Sequence, residues 1–407
     1  MFILPNGLEI HSMIIEKKLS ELIVGYYVVE IKQQTKKLKL ASPSHINNTD
    51  IINNLRKKGV KSVLIDDEKT IVVELEARPK IVNNSLELST NALTPEKLRI
   101  AKQIFIESKV IQQNVFSNAK NGYDIELEPI LEVTNKSVDA IFNNPDSLAC
   151  IVNIRKKDEY LLEHSISVCI YLSIFSSYLN IDKTTAHEMS VGAFLHDVGK
   201  IMVPDNILNK PGKLTEDEFT IMKTHANHSA DILKRTTGIS NLSYGVAAFH
   251  HEKEDGTGYS FQLKADQLRK YCRMMKICDI FDALTANRCY KEGFSRFKAF
   301  GILRNLAKGD RNLDSALVES FIKAIGAYPV GSLVQLNSNK IAVVERRNRV
   351  DSLRPGVRSF FNCEKKEYQD SEEIDLSENE DFIVKGIKAS DFDLDMEGII
   401  EFLIKQG

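Results

Sequence analysis

No apolar run in the 407-residue chain reaches the roughly 18–20 residues that span a bilayer, and the longest candidates are broken by charges. No membrane span is therefore expected. The stretch Met1 to Ile15 carries Glu9 and His11 and lacks the basic, then apolar, then small-residue order of a secretory signal. A cytoplasmic protein is expected. Charge of one sign is not in excess: 54 Lys and Arg stand against 56 Asp and Glu, a net charge of −2. No overall basic field draws the chain to DNA or to a membrane surface. The six cysteines, Cys150, Cys169, Cys272, Cys278, Cys289 and Cys363, include no C-x-x-C pair. Most lie in apolar helical context, which favours reduced structural thiols over disulfides or a zinc knuckle. There is no internal repeat.

What is present is ordinary globular composition, 43% hydrophobic and 27% charged, at a length that suits two or three domains. Residues 1–90 read as a small mixed α/β unit. A strand is expected over 23–29, a helix over 50–58 closed by Gly59, and strands at 63–66 and 70–73. His11 and His45 are isolated, so this unit reads as regulatory or dimerising. Thr94-Pro95-Glu96 is a helix start. Helices over about 95–118 and 127–142 make residues 91–150 a helical linker, with a turn at 143–146.

Residues 151–327 are dominated by helical periodicity, with segments near 161–175, 183–198, 216–236, 241–252, 264–286, 295–308 and 313–324. That is an all-α domain. After Tyr328-Pro329 the pattern turns to strands. Residues 328–407 read as a β-rich segment with a hairpin over 332–345, a loose acidic loop over 364–381 and a short helix near 397–404. The fold class is mainly α.

Seven of the nine histidines lie between His164 and His251. His164, His196, His225 and His250 stand 32, 29 and 25 residues apart, and Asp279 follows His251 by 28. Each interval is about one helix plus one connection. An antiparallel bundle returns such positions to one end of its core, the usual way that bundles build metal sites. Five imidazoles (His164, His196, His225, His250 and His251) with Asp197 and Asp279 exceed the needs of one ion, and two ions bridged by Asp197 would use them all. Nitrogen and oxygen donors without thiolate suit iron or manganese, with zinc, nickel or others open. His187 and His228 read as structural, outer-shell or surface residues.

The stretch His196-Asp197-Val198-Gly199-Lys200, then His250-His251-Glu252-Lys253-Glu254-Asp255-Gly256-Thr257-Gly258-Tyr259, then Asp279 to Lys291, resembles the HD-GYP family over roughly residues 150–330. That family is a bacterial branch of the HD phosphohydrolases that cleaves cyclic dinucleotides in second-messenger signalling. Residues 1–80 resemble, more loosely, a small domain often found ahead of HD-GYP domains. The resemblance implies an HD-type bundle and places His164, His196, Asp197, His225, His250, His251 and Asp279 at metal-ligand positions. It places Lys200 near the scissile phosphate and Gly258, Tyr259, Arg288 and Lys291 at the dinucleotide. Asp282, one turn after Asp279, suits the orienting of a histidine.

Two positions depart from the family. Ser260 stands where the naming motif has proline, which loosens substrate recognition. Tyr160 stands where some members carry a glutamate for a third ion. Two ions are therefore expected, and in the family such sites stop at the linear dinucleotide. The expected activity is hydrolysis of cyclic di-GMP or 3′,3′-cyclic GMP-AMP through a two-metal-bridged hydroxide, with Lys200 protonating the leaving group or stabilising charge. A non-catalytic nucleotide-sensing module and a phosphohydrolase of another nucleotide are the alternatives. A homodimer or a signalling-protein partner is compatible with either.

Overall fold

The computed structural model describes residues 2–3, 9–10, 14–22, 26–34, 44–46, 49–66, 94–154, 160–286, 293–309, 312–348, 351–387, 389–392, 394 and 399. The chain forms two compact units, Met1–Asn83 with Phe294–Asn305, and Asn84–Gly293 with Leu306–Gly407. The fold is mainly α. Among the described residues no helix is long and apolar enough to cross a membrane.

In the first unit, strands β1 (Phe2–Ile3) and β2 (Glu9–Ile10) pair with one another. Strands β3 (Ile14–Lys18), β4 (Tyr27–Gln34), β5 (Ser44–His45) and β6 (Val60–Asp66) form an antiparallel sheet in the order β3-β6-β4-β5. Helix α1 (Thr49–Lys57) ends before Gly59, whose positive φ of 78° closes it. Val28, Ile46, Ile52, Val63 and Ile65 make a small core. β4 runs further than the expected strand at 23–29, of which residues 23–25 lie outside the described residues. Its polar end, Lys32 to Gln34, stays paired with β6 because one face of an antiparallel sheet can be solvated. The strand expected at 70–73 also lies outside the described residues.

The second unit opens on α2 (Pro95–Lys120), whose first turn is capped by Thr94 accepting from the Lys97 amide at 3.3 Å. Helices α3 (Leu127–Asn143), α4 (Pro145–Ile154), α5 (Tyr160–Tyr178), α6 (Lys183–Leu195), α7 (Asp205–Leu208), α8 (Glu216–Arg235), α9 (Asn241–Ala248) and α10 (Lys270–Thr285) follow. α12 (Ser315–Ile325) is the last helix of this unit among the described residues, whereas α11 (Arg296–Gly309) lies for most of its length, to Asn305, in the first unit. The expected turn at 143–146 narrows to the single non-helical residue Asn144, between the end of α3 and the start of α4. Proline stands at its first residue, and Asn144 Oδ1 accepts from the Asp146 amide at 3.0 Å. α10 begins six residues later than the periodicity suggests, because 264–269 are held in a loop. Phe175 and Tyr171 of α5, Phe281 of α10 and Phe321 of α12 interlock edge to face, with centroids 5.1–5.4 Å apart. This core backs the histidine cluster.

Strands β7 (Leu333–Leu336), β8 (Lys340–Arg346), β9 (Gly356–Asn362), β10 (Glu367–Asp375) and β11 (Ile383–Gly386) form an antiparallel sheet in the order β10-β9-β8-β7-β11. The β7–β8 pair is the expected hairpin. The acidic stretch 364–381 is not a loose loop. Half of it is edge strand β10, and its carboxylates meet cations across the sheet: Glu372 with Lys340 and Asp375 with Arg346, both at 2.7 Å. Charge on a strand edge also discourages pairing with other chains. The helix expected at 397–404 lies outside the described residues except at Ile399.

Candidate metal centre

The local sequence sets each ligand-bearing segment. α6 starts at Asp182, which accepts from the Thr185 amide at 2.9 Å, and ends where His196 keeps helical backbone and Asp197 leaves it. A 3-10 turn over Val198–Met202 then carries Lys200. α8 starts on a reciprocal Thr215–Glu218 capping box, and α9 on Ser240. His164 lies in the second turn of α5, His225 within α8, His250 and His251 just past α9, and Asp279 within α10.

All seven proposed ligands come together. Asp197 stands between two sets of imidazoles. Its Oδ2 lies 3.4 Å from His164 Nε2 and 3.2 Å from His196 Nε2. Its Oδ1 lies 3.4 Å from His225 Nε2 and 3.9 Å from His250 Nε2. Asp279 Oδ1 lies 3.1 Å from His164 Nε2 and 4.0 Å from His196 Nε2. His164, His196 and Asp279 form one group with donor atoms within 4.8 Å of each other, and His225, His250 and His251 form another.

Behind the donors, a second layer fixes each ring. His196 Nδ1 donates to Ala193 O at 2.7 Å, His225 Nδ1 to Met222 O at 2.7 Å, and His250 Nδ1 to Ala247 O at 2.6 Å. Each acceptor is the carbonyl three residues earlier. His164 Nδ1 instead meets Asp282 Oδ2 at 2.7 Å. With the proton on Nδ1, every Nε2 lone pair faces the Asp197 carboxylate region, as metal-binding histidines require.

The electrostatics agree with the donor chemistry. Burial holds His225 down to about 4 and His250 down to about 3. It also holds His251 well below its ordinary value, helped by His250 and His225. For His164 burial pushes downward, yet hydrogen bonds with Asp279 and Asp282 raise it overall. Burial opposes ionisation of Asp197 and Asp279, but His196 and Lys200 around the first and His164 beside the second keep both well below the usual carboxylate range. His225, His250 and His251 are thus favoured as neutral rings and Asp197 and Asp279 as carboxylates, the forms that bind cations, whereas His164 would have to give up a proton to do so.

A divalent cation fits what these side chains leave unsatisfied. The buried atoms His196 Nε2, Asp197 Oδ1 and His250 Nε2 make no hydrogen bond. His251 Nε2 faces His225 Nε2 at 3.0 Å, two ring nitrogens competing for one proton. Orphaned acceptors at this depth cost about 1–3 kcal/mol each unless something fills the space between them.

Lys200 Nζ lies 2.5 Å from Asp197 Oδ2. The Tyr259 ring stacks on His251 with centroids 4.6 Å apart and planes at 30°. Gly258 is buried against residues 252–253. Arg288 and Lys291 lie outside the described residues, as does the side chain of Tyr160. His187 is apart from the centre and meets Asp139 of α3 at 3.3 Å. Glu163 is buried and accepts from Lys109 Nζ at 3.2 Å. The sequence reading missed Ser229, whose Oγ accepts from the Gly199 amide at 2.8 Å. It also missed Glu252 and Lys276, buried beside the ligands. For Lys276, a charge within the apolar run of α10 was the available signal.

A family model described as an HD domain matches residues 149–317. A domain of unknown function matches 14–130, and a KOW domain associated with HD domains matches 333–394. A cyclic di-GMP phosphodiesterase of Pseudomonas aeruginosa is 31% identical over 339 residues, which cover 80% of this chain and 79% of that protein. The chain belongs to the HD-GYP family. A second relative is a 3′3′-cGAMP-specific phosphodiesterase of Vibrio cholerae, 30% identical over 54% of this chain and 40% of its own length. A cyclic di-GMP phosphodiesterase of Thermotoga maritima is 25% identical over 74% of this chain and 84% of its own length. Among solved structures, an HDG"Y"P protein from Bdellovibrio bacteriovorus aligns with a TM-score of 0.48 at 16% identity, covering 75% of this chain and 97% of that one. In this HD-GYP chain, Ser260 follows Tyr259 where the name of the family has proline.

Proposed function

We propose that the chain is a metal-dependent phosphodiesterase that opens cyclic di-GMP or 3′,3′-cyclic GMP-AMP to the linear dinucleotide. The carrying observation is the placing of Asp197 between two histidine groups, with buried donor atoms on both sides making no hydrogen bond. The names of the relatives support the substrate class.

In this reading His164, His196 and Asp279 would hold one ion, His225, His250 and His251 would hold a second, and Asp197 would serve both. Iron or manganese suits the donors best. Divalent ions, when bound, lower the pKa of water and draw charge from phosphate oxygens. The chain's own residues do the rest. The carbonyls of Ala193, Met222 and Ala247 and the carboxylate of Asp282 fix the imidazole tautomers. Lys200, held by Asp197 at the edge of the centre, brings a proton or a positive charge to the leaving 3′-oxygen. Tyr259 and Gly258 receive a base beside His251. Arg288 and Lys291 supply cationic donors to a phosphate or guanine edge. Catalysis falls to residues 151–327, joined by the linker 91–150 to a regulatory unit at 1–90, with 328–407 as a β-rich appendage.

The test is product identification with both cyclic dinucleotides, using protein purified without oxygen and analysed for metal. The expected result is bound transition metal and a linear dinucleotide from at least one substrate. Tightly bound metal with neither substrate cleaved would contradict it and favour a nucleotide-sensing module.

A further inference from the structure

The loop that carries Tyr259 is tied down from beneath by two buried charges that no metal ligand accounts for. Glu252 follows His251 directly and is 1% exposed; Lys276 precedes Asp279 by one helical turn on α10 and is 6% exposed. Glu252 Oε1 accepts from the Phe261 amide at 2.6 Å, and Oε2 accepts from the Leu263 amide at 2.9 Å. Lys276 Nζ donates to the Glu252 carbonyl at 2.5 Å. One carboxylate therefore gathers the far limb of the loop, and one ammonium anchors the near limb to the ligand helix. At the apex the backbone folds back so closely that a Cβ on Gly258 would stand 2.4 Å from the Lys253 amide nitrogen and 2.5 Å from Glu252 Cα. Further bonds close the loop: the Gly256 amide donates to Lys253 O at 3.0 Å, and the Ala265 amide to Glu254 O at 3.1 Å. Phe261 packs edge to face on Phe249, with centroids 5.3 Å apart.

We propose that Glu252 and Lys276 are positioning residues for the dinucleotide, bracing the Tyr259 loop so that its ring stands beside the metal centre. The inference rests on the proposed function for its substrate. Neither group needs to touch that substrate. A buried carboxylate that accepts two amides is a strong, directional fixture, because hydrogen bonds to an ionised acceptor are about twice as strong as neutral ones. The Lys276 ammonium has a parallel task, since its stem lies in the apolar body of α10 and its head reaches the carbonyl that leads out of the ligand pair. The two residues thus connect three things that must stay in register: His251, Tyr259 and Asp279. Loosening the brace should blur where a base is received while leaving the ligand donors in place.

Glu252→Gln and Lys276→Met keep size and remove charge. Both are compared with the parent for metal content, for KM and kcat on cyclic di-GMP and 3′,3′-cyclic GMP-AMP, and for amide hydrogen exchange over residues 253–264. The expected result is an unchanged metal content, a KM raised about tenfold, a kcat within about twofold, and faster exchange at Phe261 and Leu263. Exchange and KM both equal to the parent's would overturn the proposal. So would loss of metal in step with activity, which would make Glu252 part of the metal centre. Glu252→Asp, which keeps the charge on a shorter stem, should restore part of the exchange protection. If the parent itself cleaves neither dinucleotide, the functional reading fails, and the exchange measurement alone still decides whether the brace exists.

Discussion

Lys200 donates to the same Asp197 oxygen that faces His164 and His196, so its charge sits at the edge of the centre without being one of its nitrogen donors. Lys200→Ala should therefore retain metal while turnover falls by about 10²–10⁴-fold, the usual worth of a placed proton donor. Equal kcat values for parent and variant, measured at matched metal content, would remove Lys200 from the chemical step. The buried histidines make a second prediction. His225 and His250 titrate at about 4 and about 3 in the fold because burial disfavours their charged forms, against 6.5 in the unfolded chain. Below 6.5 the unfolded chain takes up protons that these rings refuse, so stability falls as pH drops from about 6.5 toward 4. His164 is shifted the other way and offsets part of this at higher pH. Metal-stripped protein should melt at a lower temperature at pH 5 than at pH 7; an equal or higher melting point at pH 5 would speak against neutral buried rings. At this scale the clustering of the proposed ligands was legible because imidazole and carboxylate are rare in apolar helices. The carbonyls of Ala193, Met222 and Ala247 were not, because every residue carries one.

Helix starts were legible where a side chain makes the cap. Thr94, Asp182, Thr215 and Ser240 each accept from an amide in the first turn, and the helices they open stand close to where the pattern put them. α4 was missed because Asn143-Asn144-Pro145-Asp146 has the composition of a turn, and the same residues serve as a cap and a first helical proline. β10 was missed because only Ile374 of its nine residues is buried, so no alternation shows in the sequence. The loop ahead of α10 was taken for helix because its order comes from bonds that periodicity does not show: the Ala265 amide donates to Glu254 O at 3.1 Å, and the Lys264 amide to Gln267 Oε1 at 3.0 Å. One element is held by a close approach: a Cβ on Gly199 would stand 2.2 Å from His225 O and 2.3 Å from the Ser229 amide nitrogen. The turn that bears Lys200 therefore lies against α8 with no room for a methyl group. Gly199→Ala should cost about 1–3 kcal/mol, read as a lower urea midpoint in metal-free protein. An unchanged midpoint would mean that the turn can move off α8 freely.

Across the molecule, donors come from α5, the end of α6, α8, the end of α9 and α10, segments separated by about one helix each. That spacing is why the centre could be read before the fold, and why its depth could not. Spacing brings ligands to one end of a bundle but does not say which atoms stay without partners. The regulatory reading of residues 1–90 has no comparable constellation behind it. For the central claim, one comparison is most direct: metal analysis of the parent and Asp197→Ala after anaerobic purification, with circular dichroism on both. The proposal that two ions share Asp197 predicts about two equivalents in the parent and loss of both in the variant at unchanged helicity. A variant that keeps the parent's metal content would contradict it.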